Sequence, residues 1–271
     1  MNIIKVGINA YGGGASLQGC VNDILDFEEK SKLMLAPPTV TYRLFGKDAT
    51  GKNIRKVFDE AVKASMFSAK DARRSPSTVI FQYSGHGTYI KDKNKDEKSG
   101  IDGAIVPVDY SKNGVILDDE IGRFADRLKP AKLIILLDSC FAGQAQRFGF
   151  IPNGVKRMMG FSTPRFLRVK GTPANTTLAN YDPTKFLDIN SETSVLVATS
   201  RPDETSADAF IGSKYRGAGT YSLMLAWLAL GKSADYFKIQ EWANNWLRAN
   251  GYAQRIMLGG TIANLKLPFM T

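Results

Sequence analysis

A single histidine and two cysteines confine the nucleophilic chemistry open to this 271-residue chain. His86 stands in Tyr83-Ser84-Gly85-His86-Gly87, and Cys140 in Asp138-Ser139-Cys140-Phe141-Ala142-Gly143. Each motif follows an apolar run, Val79-Ile80-Phe81 before the first and Leu133-Ile134-Ile135-Leu136-Leu137 before the second. A thiol and an imidazole placed where two buried strands end make a nucleophile and base suited to peptide hydrolysis. The imidazole would stabilise the thiolate and later protonate the leaving amine. The backbone N–H groups of Gly87 and Cys140 are the expected oxyanion donors. Taken singly, a lone histidine is more often structural and a lone cysteine a small buried hydrophobe. The paired strand ends and flanking glycines favour catalysis.

Strand-length apolar runs at Ile3–Asn9, Val40–Phe45, Thr78–Tyr83, Lys132–Asp138, Ser194–Thr199 and Thr261–Leu267 alternate with segments of helical spacing. Those segments are Asn22–Leu35, Gly51–Phe67, Asp118–Leu128, Thr220–Ala229 and Ala234–Ala249. The alternation predicts an α/β fold with a mostly parallel sheet and helices on both faces. Ligands in such sheets bind beyond the carboxyl ends of the strands, where both motifs lie. The charged stretch Lys91–Gly100 and the Gly/Pro/Thr-rich stretch Phe148–Thr184 resist assignment.

Basic residues outnumber acidic ones 36 to 26, for a formal charge of +10. Seven of them, against Asp182 alone, fall between Phe141 and Leu187. Without aromatic interleaving or a recognition module, this excess does not mark a nucleic-acid footprint. The longest apolar run, Tyr221–Leu230, is too short to span a bilayer, and no signal peptide is legible. A soluble, cytoplasmic protein with free thiols is expected. One histidine and two distant cysteines cannot supply the usual zinc ligand sets.

The two motifs resemble those of caspase-like cysteine peptidases, specifically metacaspases and their prokaryotic relatives, the orthocaspases. His86 stands about 50 residues upstream of Cys140, as the caspase histidine does. The likeness extends from Leu17-Gln18-Gly19-Cys20-Val21-Asn22-Asp23 through Asp102-Gly103-Ala104-Ile105-Val106-Pro107-Val108-Asp109 to Ala198-Thr199-Ser200 and Gly219-Thr220-Tyr221-Ser222. It implies the caspase-haemoglobinase fold, a mostly parallel six-stranded sheet sandwiched by helices in three αβα layers. It also implies one domain: 1–146 as a large-subunit-like part, 147–190 as a basic linker, and 191–271 as a small-subunit-like part. Asp-Ser-Cys replaces the Gln-Ala-Cys of true caspases, so aspartate specificity is not implied. Phe141-Ala142 stands where metacaspases commonly have His-Ser.

By the same resemblance, Asp138, Asp23, Cys20 and Ser84 line the primary specificity pocket. Two carboxylates in a partly desolvated slot prefer a guanidinium, so the expected substrates are proteins cut after arginine or, less efficiently, lysine. The plainer readings are a helix cap for Asp23 and a strand-end turn for Asp138. Cys20 is read as pocket wall rather than a second nucleophile.

The resemblance further implies calcium as an activator at Asp102, Asp118 and Asp119, although no cofactor is needed for the chemistry. Arg147 falls near the place of the family's further aspartate, and Asp118-Asp119-Glu120 would serve equally as first-turn helix charges. Self-cleavage is expected in the basic linker at Lys156, Arg157, Arg165, Arg168 or Lys170, with Lys156-Arg157 favoured. The family is usually monomeric. The competing functional reading is a catalytically silent caspase-like scaffold.

Overall fold

The computed structural model describes residues 1–69, 77–95, 100–140, 163–173, 192–201 and 204–271. Its strands are β1 (Asn2–Gly7), β2 (Val40–Phe45), β3 (Thr78–Ser84), β4 (Gly87–Lys91), β5 (Ile101–Ile105), β6 (Ile116–Leu117), β7 (Lys132–Asp138), β8 (Thr163–Pro164), β9 (Ser194–Ala198), β10 (Ala207–Ile211), β11 (Lys214–Gly217) and β12 (Met257–Gly259). The helices are α1 (Cys20–Met34), α2 (Gly51–Ala69), α3 (Tyr110–Asn113), α4 (Asp118–Leu128), α5 (Ala218–Leu230), α6 (Tyr236–Ala249) and α7 (Ile262–Leu265).

Six strands form the main sheet in the order β12-β9-β7-β3-β1-β2. All its pairings are parallel except that of β12 with β9. Alternation along the strands divides the core in two. Leu133, Ile135 and Leu137 face α2 and α4, where Phe58 stacks on Phe124 with ring centroids 4.3 Å apart. Ile134 and Leu136 face the other layer, with Phe27, Trp227 and Ile239. The three αβα layers follow from strands buried on both faces.

Two smaller three-stranded sheets, β4-β5-β6 and β11-β10-β8, accompany the main one. The predicted strand Thr261–Leu267 is instead a turn leading into α7. Thr261 Oγ1 accepts from the Asn264 N–H at 3.2 Å and starts a helix, while β12 takes the sheet edge. No helix among the described residues is long and apolar enough to cross a membrane.

The functional positions follow from this register. Ser84 at the end of β3 pairs with Asp138 at the end of β7, so both motifs leave adjacent central strands side by side.

Candidate active site

His86 is held by its neighbours. Its backbone N–H donates to Tyr11 Oη at 3.0 Å, and the Tyr11 ring lies 4.6 Å from the imidazole. Imidazole Nε2 is 2.6 Å from the Ala15 carbonyl oxygen. A carbonyl can only accept, so Nε2 carries the proton and Nδ1 of neutral His86 presents a lone pair. Nδ1 is buried with no hydrogen-bond partner. Burial lowers the His86 pKa, against the pull of the Ala15 and Arg165 backbones in the other direction.

Cys140 is fully buried. Its thiol donates to the Ser206 carbonyl at 3.3 Å and accepts from the Ser206 N–H. Burial pushes this thiol up to about 12, against the opposing effect of the Ser206 and Arg165 backbones. Burial thus favours the neutral form of both the Cys140 thiol and the His86 imidazole.

The linker segment lies across this site. Thr163 and Pro164 pair antiparallel with Asp208 and Ala207 of β10, and the Arg165 N–H donates to the Ser206 carbonyl at 3.2 Å. The Arg165 carbonyl oxygen accepts from the Gly87 N–H at 2.9 Å and from the Cys140 N–H at 3.1 Å. These are the two donors expected from the sequence, both directed at one carbonyl. A Cβ on Gly87 would stand 2.2 Å from the Cys140 carbonyl oxygen, so only glycine permits this approach.

The Arg165 guanidinium is wholly buried among acids. Nη2 donates to Asp23 Oδ2 at 2.7 Å and to Asp208 Oδ1 at 2.9 Å. Nη1 donates to Ser84 Oγ at 2.6 Å and lies 3.1 Å from Asp138 Oδ1. Ser84 passes its own proton to Asp23 at 2.8 Å. Cys20 is buried within reach of Ser84 and Arg165. Gly217 completes the slot: a Cβ there would meet Asp138 Oδ2 at 2.2 Å.

Asp138 is the best-supported acid. Thr199 Oγ1, Ser206 Oγ, Thr220 Oγ1 and the Thr220 N–H all donate to it, at 2.6 to 3.0 Å. Burial alone would raise its pKa, but Arg165 and these hydrogen bonds outweigh that and lower it. Asp23 behaves oppositely. Burial raises it to about 7 despite Arg165, because one guanidinium cannot neutralise three carboxylates. An acid whose folded pKa lies above its unfolded value binds a proton on folding. Asp23 therefore makes the chain less stable as pH rises from about 4 to about 7. Urea unfolding of the Cys140→Ala chain across that range is expected to show the decline, and Asp23→Asn to flatten it. A pH-independent difference between the two proteins would contradict this assignment.

Sequence reasoning missed Asp208, Ser206, Thr199 and Thr220. Thr199 and Thr220 sit inside quoted motifs but were given no role. Asp208 lies on β10 and Ser206 directly before it, and no motif distinguishes them. Of the linker candidates, Arg165 occupies the site. Arg168 and Lys170 are exposed, and Lys156 and Arg157 lie outside the described residues. Among the described linker residues, Arg165 is the one whose carbonyl meets the Gly87 and Cys140 N–H groups while its side chain meets the acids.

The three calcium candidates lie on β5 and at the start of α4. Asp102 on β5 and Asp118 at the start of α4 are both buried. Asp118 accepts from the Gly103 N–H at 3.1 Å and from the Asp119 N–H at 3.0 Å, while Asp119 accepts from Asn94 at 3.0 Å. Among the described residues, no group of three or more His, Cys, Asp or Glu side chains could hold a metal ion.

Residues 3–147 match the metacaspase, peptidase C14 domain. The chain belongs to the metacaspase family. It is 34% identical over 150 residues to metacaspase-1 of Meyerozyma guilliermondii, covering 55% of this chain and 36% of that one. Metacaspase-1 of Debaryomyces hansenii is 29% identical over 225 residues, covering 81% of this chain and 50% of its own. The chain thus spans half or less of the length of these two metacaspases. A crystal structure of a Geobacter sulfurreducens protein shares the fold, with a TM-score of 0.67 at 21% identity, over 99% of this chain and 97% of that one.

Proposed function

We propose that this metacaspase-family domain is a cysteine endopeptidase that cuts after arginine and that its first substrate is its own Arg165–Phe166 bond. The observation that carries the reading is the Arg165 carbonyl, held by the Gly87 and Cys140 N–H groups while its side chain lies between Asp23, Asp138 and Asp208. That is the pose of a substrate residue on the acyl side of the bond to be broken.

In the reaction, the Cys140 thiol turns from the Ser206 carbonyl and gives its proton to Nδ1 of His86, and Sγ bonds to the Arg165 carbonyl carbon. The carbonyl oxygen takes up negative charge between two fixed N–H donors, which costs no reorganisation. His86 returns the proton to the departing Phe166 nitrogen as the C–N bond breaks. Water, deprotonated by the same imidazole, then releases the Arg165 carboxylate and restores the thiol. Tyr11 and the Ala15 carbonyl keep the imidazole in the tautomer that these steps require.

The acids set the preference. A guanidinium spans all three with directed hydrogen bonds, whereas an ammonium offers one compact charge and aspartate would add a fourth negative group. Peptides differing only in the residue before the cut are expected to rank Arg above Lys by about tenfold, with no cleavage after Asp. Efficient cleavage after Asp would end this assignment.

A further inference from the structure

We propose that the cleft also reads the residue after the cut, through an aromatic shelf formed by Tyr89. Its substrates would then be protein segments in which arginine is followed by a large apolar side chain. The proposal rests on reading the Arg165 segment as a bound substrate.

Beyond Arg165, the chain is held as closely as before it. Phe166 bridges to Gly87, and the Leu167 N–H donates to the Gly87 carbonyl at 3.0 Å. Gly87 therefore anchors both sides of the bond, its N–H on the Arg165 carbonyl and its carbonyl on Leu167. The half-buried Phe166 ring lies against Tyr89, with centroids 5.6 Å apart and planes inclined at 34°. Tyr89 is itself 3% exposed and pairs across β4–β5 with Gly103, which has no side chain to crowd the ring. Leu167 and Val169 pack at the margin of the core, while Arg168 and Lys170 point to solvent. A turn then closes the segment. The Val169 N–H donates to Thr172 Oγ1 at 2.9 Å, and that oxygen lies 3.3 Å from Oγ1 of the buried Thr88.

This arrangement favours apolar residues for two reasons. An aromatic or large aliphatic side chain after the cut removes its surface from water against Tyr89. A carboxylate there would lose hydration with no cation to replace it. The basic residues Arg168 and Lys170 are tolerated because they alternate outward.

Internally quenched peptides of the form Thr-Pro-Arg-Xaa-Leu test the inference. With the wild-type chain, kcat/KM is expected to fall about tenfold from Phe to Ala at Xaa, and further for Asp. In Tyr89→Ala the Phe-over-Ala preference should shrink to less than about twofold, and Tyr89→Phe, which keeps the ring, should restore it. Labelling of Cys140 by an arginyl chloromethyl ketone, which carries nothing beyond its arginine, reports whether each variant retains a folded pocket. Should Tyr89→Ala not fold, the wild-type series still decides. Equal rates for Phe, Ala and Asp would overturn the proposal, as would a Phe preference undiminished in a folded Tyr89→Ala. A control peptide with Ala in place of Arg separates the two readings. If it is cut as fast as the Arg peptide, arginine recognition itself has failed.

Discussion

Incubated at neutral pH, the wild-type chain is expected to divide between Arg165 and Phe166, while the Cys140→Ala chain stays whole. Three registers specify the position together. Thr163 and Pro164 are paired with β10, the Arg165 carbonyl sits between two N–H donors, and the guanidinium fills the acidic slot. Cutting at Arg168 instead would require the segment to slide by three residues and forfeit all of them. Because nucleophile and bond belong to one chain, the cleavage should be first order and independent of protein concentration. Intact mass would give the two fragments, and the second should begin Phe166-Leu167-Arg168-Val169. Arg165→Ala should abolish this cut. It would also leave Asp23, Asp138 and Asp208 facing one another without a cation, which costs about 3–5 kcal/mol when one partner of a buried pair is removed. Fragments beginning after Lys156, Arg157, Arg168 or Lys170, or identical fragments from Cys140→Ala, would refute the assignment.

The occupied site also explains why the thiol is quiet before it reacts. With burial holding Cys140 up to about 12, thiolate is scarce at neutral pH, and in the proposed mechanism the thiol depends on His86 as a general base. The same segment that presents the bond excludes the water that would otherwise solvate a thiolate. A substrate in trans must displace the Arg165 side chain and both strand pairings before it can bind. Self-cleavage would remove the covalent tether that keeps the two halves of this plug together.

Much of this was legible in the chain, and the parts that were not have physical reasons. Val40–Phe45, Lys132–Asp138 and the helix Asp118–Leu128 could be read to the residue, because the first is rich in β-branched and aromatic residues, the second holds an unbroken apolar run and the third has acids in its first turn. The strands β4, β5, β10 and β11 escaped detection. They are five residues or fewer, and their burial is set by contacts distant in sequence. Thr261–Leu267 misled because a Thr cap and a short apolar stretch look alike until the edge strand beside them is seen. His86, Cys140 and Asp138 lie at or just past strand ends, where side-chain direction can be inferred, and Asp23 falls in the first turn of α1. Asp208 arrives from a strand almost 70 residues beyond Cys140, and nothing local marks its destination. Arg165 posed the same difficulty, since nothing local sets it apart from the other basic residues of the linker.

Asp138→Asn is expected to lower kcat/KM for arginyl peptides by about 10²- to 10³-fold, and Asp23→Asn by nearer tenfold, for reasons that lie in their hydrogen bonds. Both Asp138 oxygens are surrounded by donors: Thr199 and Ser206 hydroxyls on Oδ1, and the Thr220 N–H and hydroxyl on Oδ2. An amide NH₂ in either place would face at least one group that already donates. The substitution therefore removes a charge from the arginine and also disturbs Ser206, whose backbone holds the Cys140 thiol. Asp23 is more forgiving. Its Oδ1 accepts from the Gly217 N–H at 2.7 Å and Oδ2 from Arg165 and the Ser84 hydroxyl, so an amide faces a donor here too, but the change leaves Ser206, which holds the Cys140 thiol, untouched. Asp23 is also the acid that burial keeps partly protonated near neutral pH, so less charge is lost. Citrulline, the neutral counterpart of arginine, provides the readout that a merely structural defect would not move. The Arg-over-citrulline ratio should fall steeply in Asp138→Asn and modestly in Asp23→Asn. An unchanged ratio in Asp138→Asn, whatever the absolute rate, would show that this carboxylate does not read the substrate's charge.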